Sequence, residues 1–256
     1  MANIGIFDSG CGGLSVFREL VRVLPQEQYH YFSDNAHCPY GEKSALYIQR
    51  RGRYITEFLL EKGADIIVVA CNTATAAAIA TLRAEYPDVP FVGMEPAVKP
   101  AALGTRSGVI GVLATAGTLK GSKYLNTRGL YEDDVRIVEH VGQGFVEWVE
   151  AGKLDGPEVE ATVRASLQPL LDAGADTIVL GCTHYPFLQP VIERLAGPGI
   201  KVIDPSAAVA RQTLHVLDQR GVMMGEGPFS VHLHASGNPA VLQRFFGLVM
   251  DAQCVT

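Results

Sequence analysis

The sequence lacks three features that would each point to a particular class of protein. No apolar run approaches the roughly 20 residues that a membrane helix needs, so no membrane partner is expected. The N-terminus has no basic stretch followed by an apolar one, which argues against a secretory signal. Lys and Arg form no block and the formal net charge is -6, which argues against a nucleic-acid partner. A cytoplasmic protein is the default expectation.

Cysteines are few, odd in number and never spaced as Cys-x-x-Cys. This argues against a disulfide framework and against thioredoxin-like redox chemistry. In a reducing cytosol these sulfurs are thiols, either buried as small apolar fillers or reactive. We interpret the first, second and last as fillers and the other two as candidates for chemistry; in chain order the five are Cys11, Cys38, Cys71, Cys182 and Cys254.

Short apolar runs alternate with longer amphipathic stretches along the 256 residues. Ile66–Ala70 is a continuous, largely β-branched run of the kind that forms a strand covered on both faces. Residues 43–62 have the apolar spacing of a long helix. Strands that alternate with helices predict parallel sheets of the α/β class. The length is enough for one large domain or for two of about 100–150 residues.

One segment occurs twice in the chain. Residues 63–76 and residues 174–187 each consist of Gly-Ala-Asp, a short apolar run, and then a cysteine followed by small polar residues. Cys71 and Cys182 take the same position in the two copies. A duplicated unit that ends in a thiol both times predicts a site in which two matched sulfurs face each other.

The repeat extends beyond these segments and predicts two domains. Ile4–Ser9 resembles Ile110–Thr115, whereas the tail of the chain has no counterpart and is expected to return to the first domain. We predict two pseudo-symmetric three-layer α/β domains with parallel sheets and an active site in the cleft between them. The expected boundaries are residues 1–93 plus 208–256 for the first domain and 94–207 for the second.

Polar clusters follow four of the predicted strands. Ligands of open α/β sheets bind outside the carboxyl ends of the strands, and the first N–H groups of the next helix favour anions. The Ser and Thr hydroxyls of these clusters add hydrogen-bond donors, so the pattern suits a small carboxylate ligand. The clusters are Asp8-Ser9-Gly10, Cys71-Asn72-Thr73, Ala114–Thr118 and Cys182-Thr183-His184.

The two repeated thiols are candidates for acid–base chemistry. A cysteine at a helix N-terminus forms a thiolate more readily; the thiolate is a base and the thiol is an acid. Asp8 is placed to assist Cys71, and His184 to assist Cys182. Simpler alternatives stay open: packed thiols, a zinc site built from these four side chains, or a phosphate loop at Gly10–Gly13, which lacks the following Lys-Ser/Thr.

Five motifs together resemble the cofactor-independent, two-cysteine glutamate racemase family, and the similarity runs over essentially the whole chain. Any one of them alone would be a weak signal. The motifs are Gly5–Leu14, Asp34-Asn35-Ala36, Pro39-Tyr40-Gly41, Ala70–Ala74 and Gly181–Pro186.

The resemblance implies binding of free glutamate between the two domains, with no cofactor and no metal. It implies that Cys71 deprotonates D-glutamate and Cys182 deprotonates L-glutamate, assisted by Asp8, His184 and Glu150. It also implies a homodimer and a supply of D-glutamate for peptidoglycan synthesis. Besides Asp8 and His184, the substrate-contact positions carried over are Ser9, Tyr40, Gly41, Asn72, Thr73, Thr115, Thr118 and Thr183.

Two rival functions stay open at this point. A sister racemase acting on aspartate or another small acid would use the same thiol pair. A non-catalytic protein that binds small acids between two domains would need no pair of matched acid–base groups, which makes the thiols hard to explain.

Overall fold

The computed structural model describes residues 1–222, 225 and 227–253, so Cys254 lies outside the described residues. The chain forms two separate sheets in which every strand pairing is parallel. This confirms the α/β class and the two units predicted from the repeat. Among the described residues, no helix has the length and apolar character required to cross a membrane.

The first sheet has five strands and the second has four. The strand order is β4-β3-β1-β2-β9 in the first sheet and β6-β5-β7-β8 in the second. The strands are β1 Asn3–Asp8, β2 Gln28–Ser33, β3 Ile66–Val69, β4 Phe91–Gly93, β5 Val109–Ala114, β6 Arg136–Val141, β7 Thr177–Gly181, β8 Lys201–Ile203 and β9 Ser230–Ala235.

Helices cover the sheets, and short 3-10 segments follow β2 and β7. The 3-10 segments span Asn35–His37, Tyr40–Glu42 and Tyr185–Leu188. The helices are α1 Leu14–Val23, α2 Ala45–Glu61, α3 Asn72–Glu85, α4 Val98–Gly104, α5 Ala116–Leu119, α6 Ser122–Gly129, α7 Phe145–Glu150, α8 Pro157–Asp172, α9 Gln189–Ala196, α10 Ser206–Gln219 and α11 Ala240–Gln253.

The sequence repeat corresponds to a repeat of strand positions. The central strand β1 lies between β2 and β3, and β5 lies in the same way between β6 and β7. The duplicated segments form β3 and β7, whose residues are all buried because helices cover both faces of the sheet. Strand β9 has no counterpart and pairs with β2, so the tail adds a fifth strand to the first sheet. The domain boundaries themselves stay a prediction.

The apolar periodicity of the sequence does not predict two of the short helices. Helix α7 has only six residues and α4 only seven, which is too short for a clear helical pattern. Residues 116–129 form two helices, α5 and α6, and not one continuous helix. The break is at Gly121, where a Cβ atom would lie 2.5 Å from the Cβ of Ala76, so the glycine allows the two elements to approach closely.

Candidate active site

The carboxyl ends of β1, β3, β5 and β7 meet in a narrow cleft between the two sheets. The centre of a water molecule can occupy about 10 Å³ within this cleft, which is roughly enough room for one water. The structure therefore brings together most of the site residues predicted from sequence. The cleft is lined by Ser9, Pro39, Tyr40, Gly41, Cys71, Asn72, Thr73, Thr115, Val146, Cys182, Thr183 and His184.

Cys71 ends the first duplicated segment and caps helix α3. Its Sγ accepts the backbone N–H of Ala74 at 3.4 Å and lies 4.0 Å from the Ser9 hydroxyl. Burial nevertheless raises the pKa of the Cys71 thiol well above its usual value, and the nearby Asp8 carboxyl raises it further. Desolvation outweighs these hydrogen bonds in the closed cleft, so burial opposes the thiolate that the helix N-terminus was expected to favour here.

Asp8 is fully buried at the end of β1. Its carboxylate accepts the backbone N–H groups of Gly10 at 3.2 Å and Gly13 at 3.0 Å, and the Thr183 hydroxyl from the second domain at 3.3 Å. Burial raises the pKa of this carboxyl, although the charge of His184 acts in the opposite direction. Asp8 therefore ties the glycine-rich loop to the strand end that carries Cys182.

Cys182 belongs to a chain of three interacting side chains. Its Sγ lies 3.8 Å from Nδ1 of His184, and Nε2 of His184 lies 2.7 Å from Oε1 of Glu150. Glu150 is the last residue of α7, and its Oε1 also accepts the backbone N–H of Cys11 at 2.8 Å. This thiol–imidazole–carboxylate chain resembles the arrangement in which a base is oriented by a third group.

The charges of this chain reinforce one another. Burial by itself lowers the pKa of His184, but its hydrogen bonds to Cys11, Cys182, Cys38 and Glu150 raise it well above its usual value. For Glu150, burial acts to raise the pKa, but the hydrogen bond and charge of His184 bring it below its usual value. An imidazolium and a carboxylate are therefore stable side by side.

The glycine-rich loop at Gly10–Gly13 encloses the His184–Glu150 pair and does not act as a phosphate loop; we call it the glycine socket. A Cβ atom at Gly10 would collide with the carboxylate of Glu150, and a Cβ atom at Gly12 would collide with the ring of His184. The absence of side chains at these two positions is what lets the loop close around both groups.

A cluster of hydroxyls joins the two domains on the other side of the cleft. Oγ1 of Thr115 lies 2.8 Å from Oγ1 of Thr73 and 2.9 Å from Oγ1 of Thr118. Next to it, the amide N and O atoms of the buried Asn72 side chain have no hydrogen-bond partner among the residues that the structure describes. Unpaired buried polar atoms are costly, so this amide is available to a ligand.

The sequence did not reveal the supporting roles of Asp34 and Arg51. The Tyr40 hydroxyl donates to the carboxylate of Asp34, which also accepts two hydrogen bonds from Arg51, at 2.7 and 2.9 Å. Asp34 is fully buried and holds the tyrosine against the cleft. Asp34 was part of a recognised motif, but nothing in the spacing of Arg51 on helix α2 indicated its role.

The zinc alternative from sequence used Cys71, Cys182, His184 and Asp8. Within residues 1–222, 225 and 227–253, the only group of three or more His, Cys, Asp or Glu side chains close enough to share one ion is a different one. It consists of Cys11, Glu150 and His184. The geometry therefore does not support the zinc alternative at the repeated thiols.

Residues 4–213 match the family model described as Asp/Glu/Hydantoin racemase. A curated relative from Ectopseudomonas mendocina (strain ymp), named glutamate racemase, is 48% identical over 252 residues, which cover 98% of this chain and 96% of the relative.

Solved structures of two glutamate racemases are also similar. The structure from Francisella tularensis subsp. tularensis SCHU S4, in complex with D-glutamate, has a TM-score of 0.84 and 26% identity, covering 98% of this chain and 94% of that one. The structure from Escherichia coli, in complex with L-glutamate and the activator UDP-MurNAc-ala, has a TM-score of 0.83 and 34% identity, covering 95% of each chain.

Proposed function

This chain belongs to the Asp/Glu/Hydantoin racemase family, and we propose that it interconverts L- and D-glutamate by moving the α-proton between the thiols of Cys71 and Cys182. It is an isomerase with glutamate racemase activity. Similar proteins bind the L enantiomer in one structure and the D enantiomer in another. The D-glutamate formed would supply peptidoglycan synthesis.

One observation carries the mechanism: two thiols from equivalent strand ends line the same cleft. A racemase must remove a proton from one face of the α-carbon and return a proton to the other face. Two matched acid–base groups on opposite sides of the substrate do this without moving the substrate, and general acid–base groups contribute about 10²–10⁴-fold each.

The direction from L to D uses Cys182 as the base. Its thiolate, with His184 beside it, takes the α-proton of L-glutamate, and the thiol of Cys71 donates its proton to the opposite face. The reverse direction exchanges these roles, so the proton count is the same at the start and the end. The enzyme then has one thiolate and one thiol in exchanged positions, and proton exchange with water restores either form.

The intermediate carries negative charge next to the α-carboxylate. The first N–H groups of helix α3 and the hydroxyls of Ser9 and Thr73 are donors at this point of the cleft. Preorganised donors in a site without bulk water stabilise such charge far better than donors in water do. We propose that Asn72 and the threonine cluster hold the substrate carboxylates.

Entry of substrate requires the cleft to widen, because room for about one water is too little for glutamate. A neighbouring cavity of about 220 Å³ shares Pro39, Gly41, Thr115 and Val146 with the cleft and leads away from the thiols. We propose that the domains separate to admit glutamate by this side and close again to exclude water.

The test is to incubate the protein with D- or L-glutamate in heavy water. Optical rotation should fall to zero from either enantiomer, and deuterium should appear at the α-carbon. Aspartate and other small acids, tested in parallel, measure the substrate range. Absence of exchange from both glutamate enantiomers would show the proposal to be wrong.

We further propose a homodimer in the cytoplasm, on the family resemblance alone. Sedimentation equilibrium of the purified protein checks the first point, since a dimer has twice the 27.5 kDa mass of the chain. A mass equal to one chain at micromolar concentration would exclude a stable dimer.

A further inference from the structure

A third thiol, Cys11, lies beside the His184–Glu150 pair, and the proposed reaction does not use it. The Cys11 side chain is 1% exposed and belongs to the apolar core, as expected of a filler, but its sulfur also faces a polar pair. The Cys11 thiol, a carboxylate oxygen of Glu150 and a ring nitrogen of His184 all lie within 4.8 Å of one another. Sulfur, nitrogen and oxygen donors therefore converge on one point.

A fourth donor borders the same point. The Sγ of Cys38 lies 3.9 Å from Oε1 of Glu150 and also interacts with His184. The four side chains come from four separate places in the chain: the loops after β1 and β2, the end of α7 and the loop after β7. Glu150 is 20% exposed and Cys38 is half-buried, so this side of the cluster is open to solvent.

We propose that Cys11, Glu150 and His184, with Cys38 as fourth ligand, bind a thiophilic divalent cation, for which Zn²⁺ is the probe. Two sulfurs, one imidazole and one carboxylate form a donor set that tetrahedral Zn²⁺ accepts. Zinc bond lengths in tetrahedral geometry place neighbouring donor atoms roughly 3.3–3.8 Å apart. Oε1 of Glu150 lies 2.7 Å from Nε2 of His184 and 3.9 Å from Sγ of Cys38, and the donors of Cys11, Glu150 and His184 all lie within 4.8 Å of one another, so modest side-chain shifts complete the site. Binding releases the two thiol protons and the imidazolium proton of His184 to water, because each of these ligands must be deprotonated.

This cation site is separate from the catalytic thiols. The sulfur of Cys182 faces Nδ1 of His184, whereas the carboxylate of Glu150 faces Nε2 on the other side of the ring. A cation held on the Glu150 side thus leaves Cys182 outside its coordination sphere. The bound cation would nevertheless occupy both Glu150 and His184, which could then no longer assist Cys182. We therefore expect the cation to inhibit racemisation. The inhibition rests on the proposed function, whereas the binding does not.

The binding test uses titration calorimetry with ZnCl₂ under anaerobic conditions, and Co²⁺ as a spectroscopic substitute. Wild-type protein should bind one ion per chain and show a sulfur-to-cobalt charge-transfer band. Cys11→Ala should weaken binding by at least about 100-fold and diminish the band, since loss of a direct ligand exceeds the 10–100-fold effect of residues that only support ligands. Cys38→Ala should weaken binding less, and Cys71→Ala should leave it unchanged.

The controls separate a lost site from a misfolded protein. Cys11→Ala and Cys11→Ser should still unfold in one cooperative thermal transition. Because the Cys11 thiol contacts His184, the racemase rate of each variant without metal serves as its own reference. Wild-type activity should fall with Zn²⁺ and recover with a chelator, and Cys11→Ala should resist the same concentrations.

Three results would contradict the proposal. Binding lost in Cys71→Ala but kept in Cys11→Ala would place the ion at the catalytic pair, and no saturable binding to wild-type protein would exclude the site. Binding without inhibition would leave the site in place but overturn its effect on the reaction. A protein without racemase activity would contradict the proposed function and leave the calorimetric test intact.

Discussion

The two thiol half-sites have the same backbone origin but different surroundings. Cys71 and Cys182 each end a buried strand next to the central strand of its sheet. Around Cys71 the neighbours are a backbone N–H group and the Ser9 hydroxyl, whereas Cys182 faces His184, which is paired with Glu150. One thiol is thus buried among hydrogen-bond donors and near the Asp8 carboxyl, and the other is next to an ion pair.

This difference indicates that the duplication supplied matched positions for the sulfurs but not matched chemistry. Burial favours the neutral thiol at Cys71, whereas Cys182 lies next to the His184–Glu150 pair. Free L- and D-glutamate have equal free energies, however, so kcat/KM must be equal in both directions in every variant. The asymmetry between the two half-sites must therefore be measured from kcat and KM taken separately. It can also be measured as α-proton exchange by variants that keep only one of the two thiols.

The largest effect should come from removing either sulfur. Cys71→Ala and Cys182→Ala should each lower racemisation by about 10²–10⁴-fold or more. Each variant keeps one base, so Cys71→Ala should still exchange the α-proton of L-glutamate, and Cys182→Ala that of D-glutamate. Proton NMR in heavy water measures this. Exchange of the same enantiomer by both variants would contradict the assignment of faces.

The next effect should come from the glycine socket on the Cys182 side. Gly12→Ala places a methyl group against the His184 ring, so the ring must move. A misplacement of about 1 Å can cost about 100-fold in rate, and we expect a loss of kcat of that order. Gly104→Ala is the matched control, because a Cβ there has no neighbour within 4 Å. Equal losses in both variants would show that the socket has no special role.

A smaller effect, sensitive to pH, should come from Glu150→Gln. We expect about a 10-fold loss of kcat for L-glutamate, less than the loss of a general acid–base group itself. The Glu150 carboxylate helps to raise the pKa of His184, so without it the imidazolium should lose its proton at lower pH. The alkaline limb of the kcat profile should accordingly move to lower pH.

The control for this charge change is Glu158→Gln. Glu158 is an exposed acid, with a side chain that is 70% exposed. The kcat profiles of both variants are compared with that of the wild-type protein over the same pH range. An alkaline limb that stays in place, or moves to higher pH, in Glu150→Gln would contradict the role given to the carboxylate.

The smallest effect should come from the threonine cluster at Thr115, which follows β5 and belongs to neither thiol half-site. Thr115→Val removes one hydroxyl that bridges the domains. Loss of a hydrogen bond of about 1 kcal/mol corresponds to roughly a fivefold rise in KM with little change in kcat. Both enantiomers should be affected alike, as initial rates by circular dichroism can show. A change for only one enantiomer would place Thr115 in one half-site.

Sequence reasoning succeeded where the signal was local. The repeated Gly-Ala-Asp segments predicted β3 and β7 because a buried parallel strand is a continuous apolar run, and the polar clusters after the strands indicated the cleft. It failed where distant groups decide the outcome. Arg51 reaches Asp34 from helix α2, and Cys11 faces Glu150 from a different domain. Neither contact produces a periodic pattern or a characteristic spacing in the sequence.

The sequence by itself determined the α/β class, the internal repeat and the identity of the residues that can carry protons, because strand burial and strand ends are encoded by neighbouring residues. Only the tertiary structure decided the state of those residues. Desolvation of Cys71, the charge pair at His184 and the convergence of Cys11 with Glu150 depend on which elements cover each group. Those elements come from distant parts of the chain, and their electrostatic effect appears only once water is excluded between them.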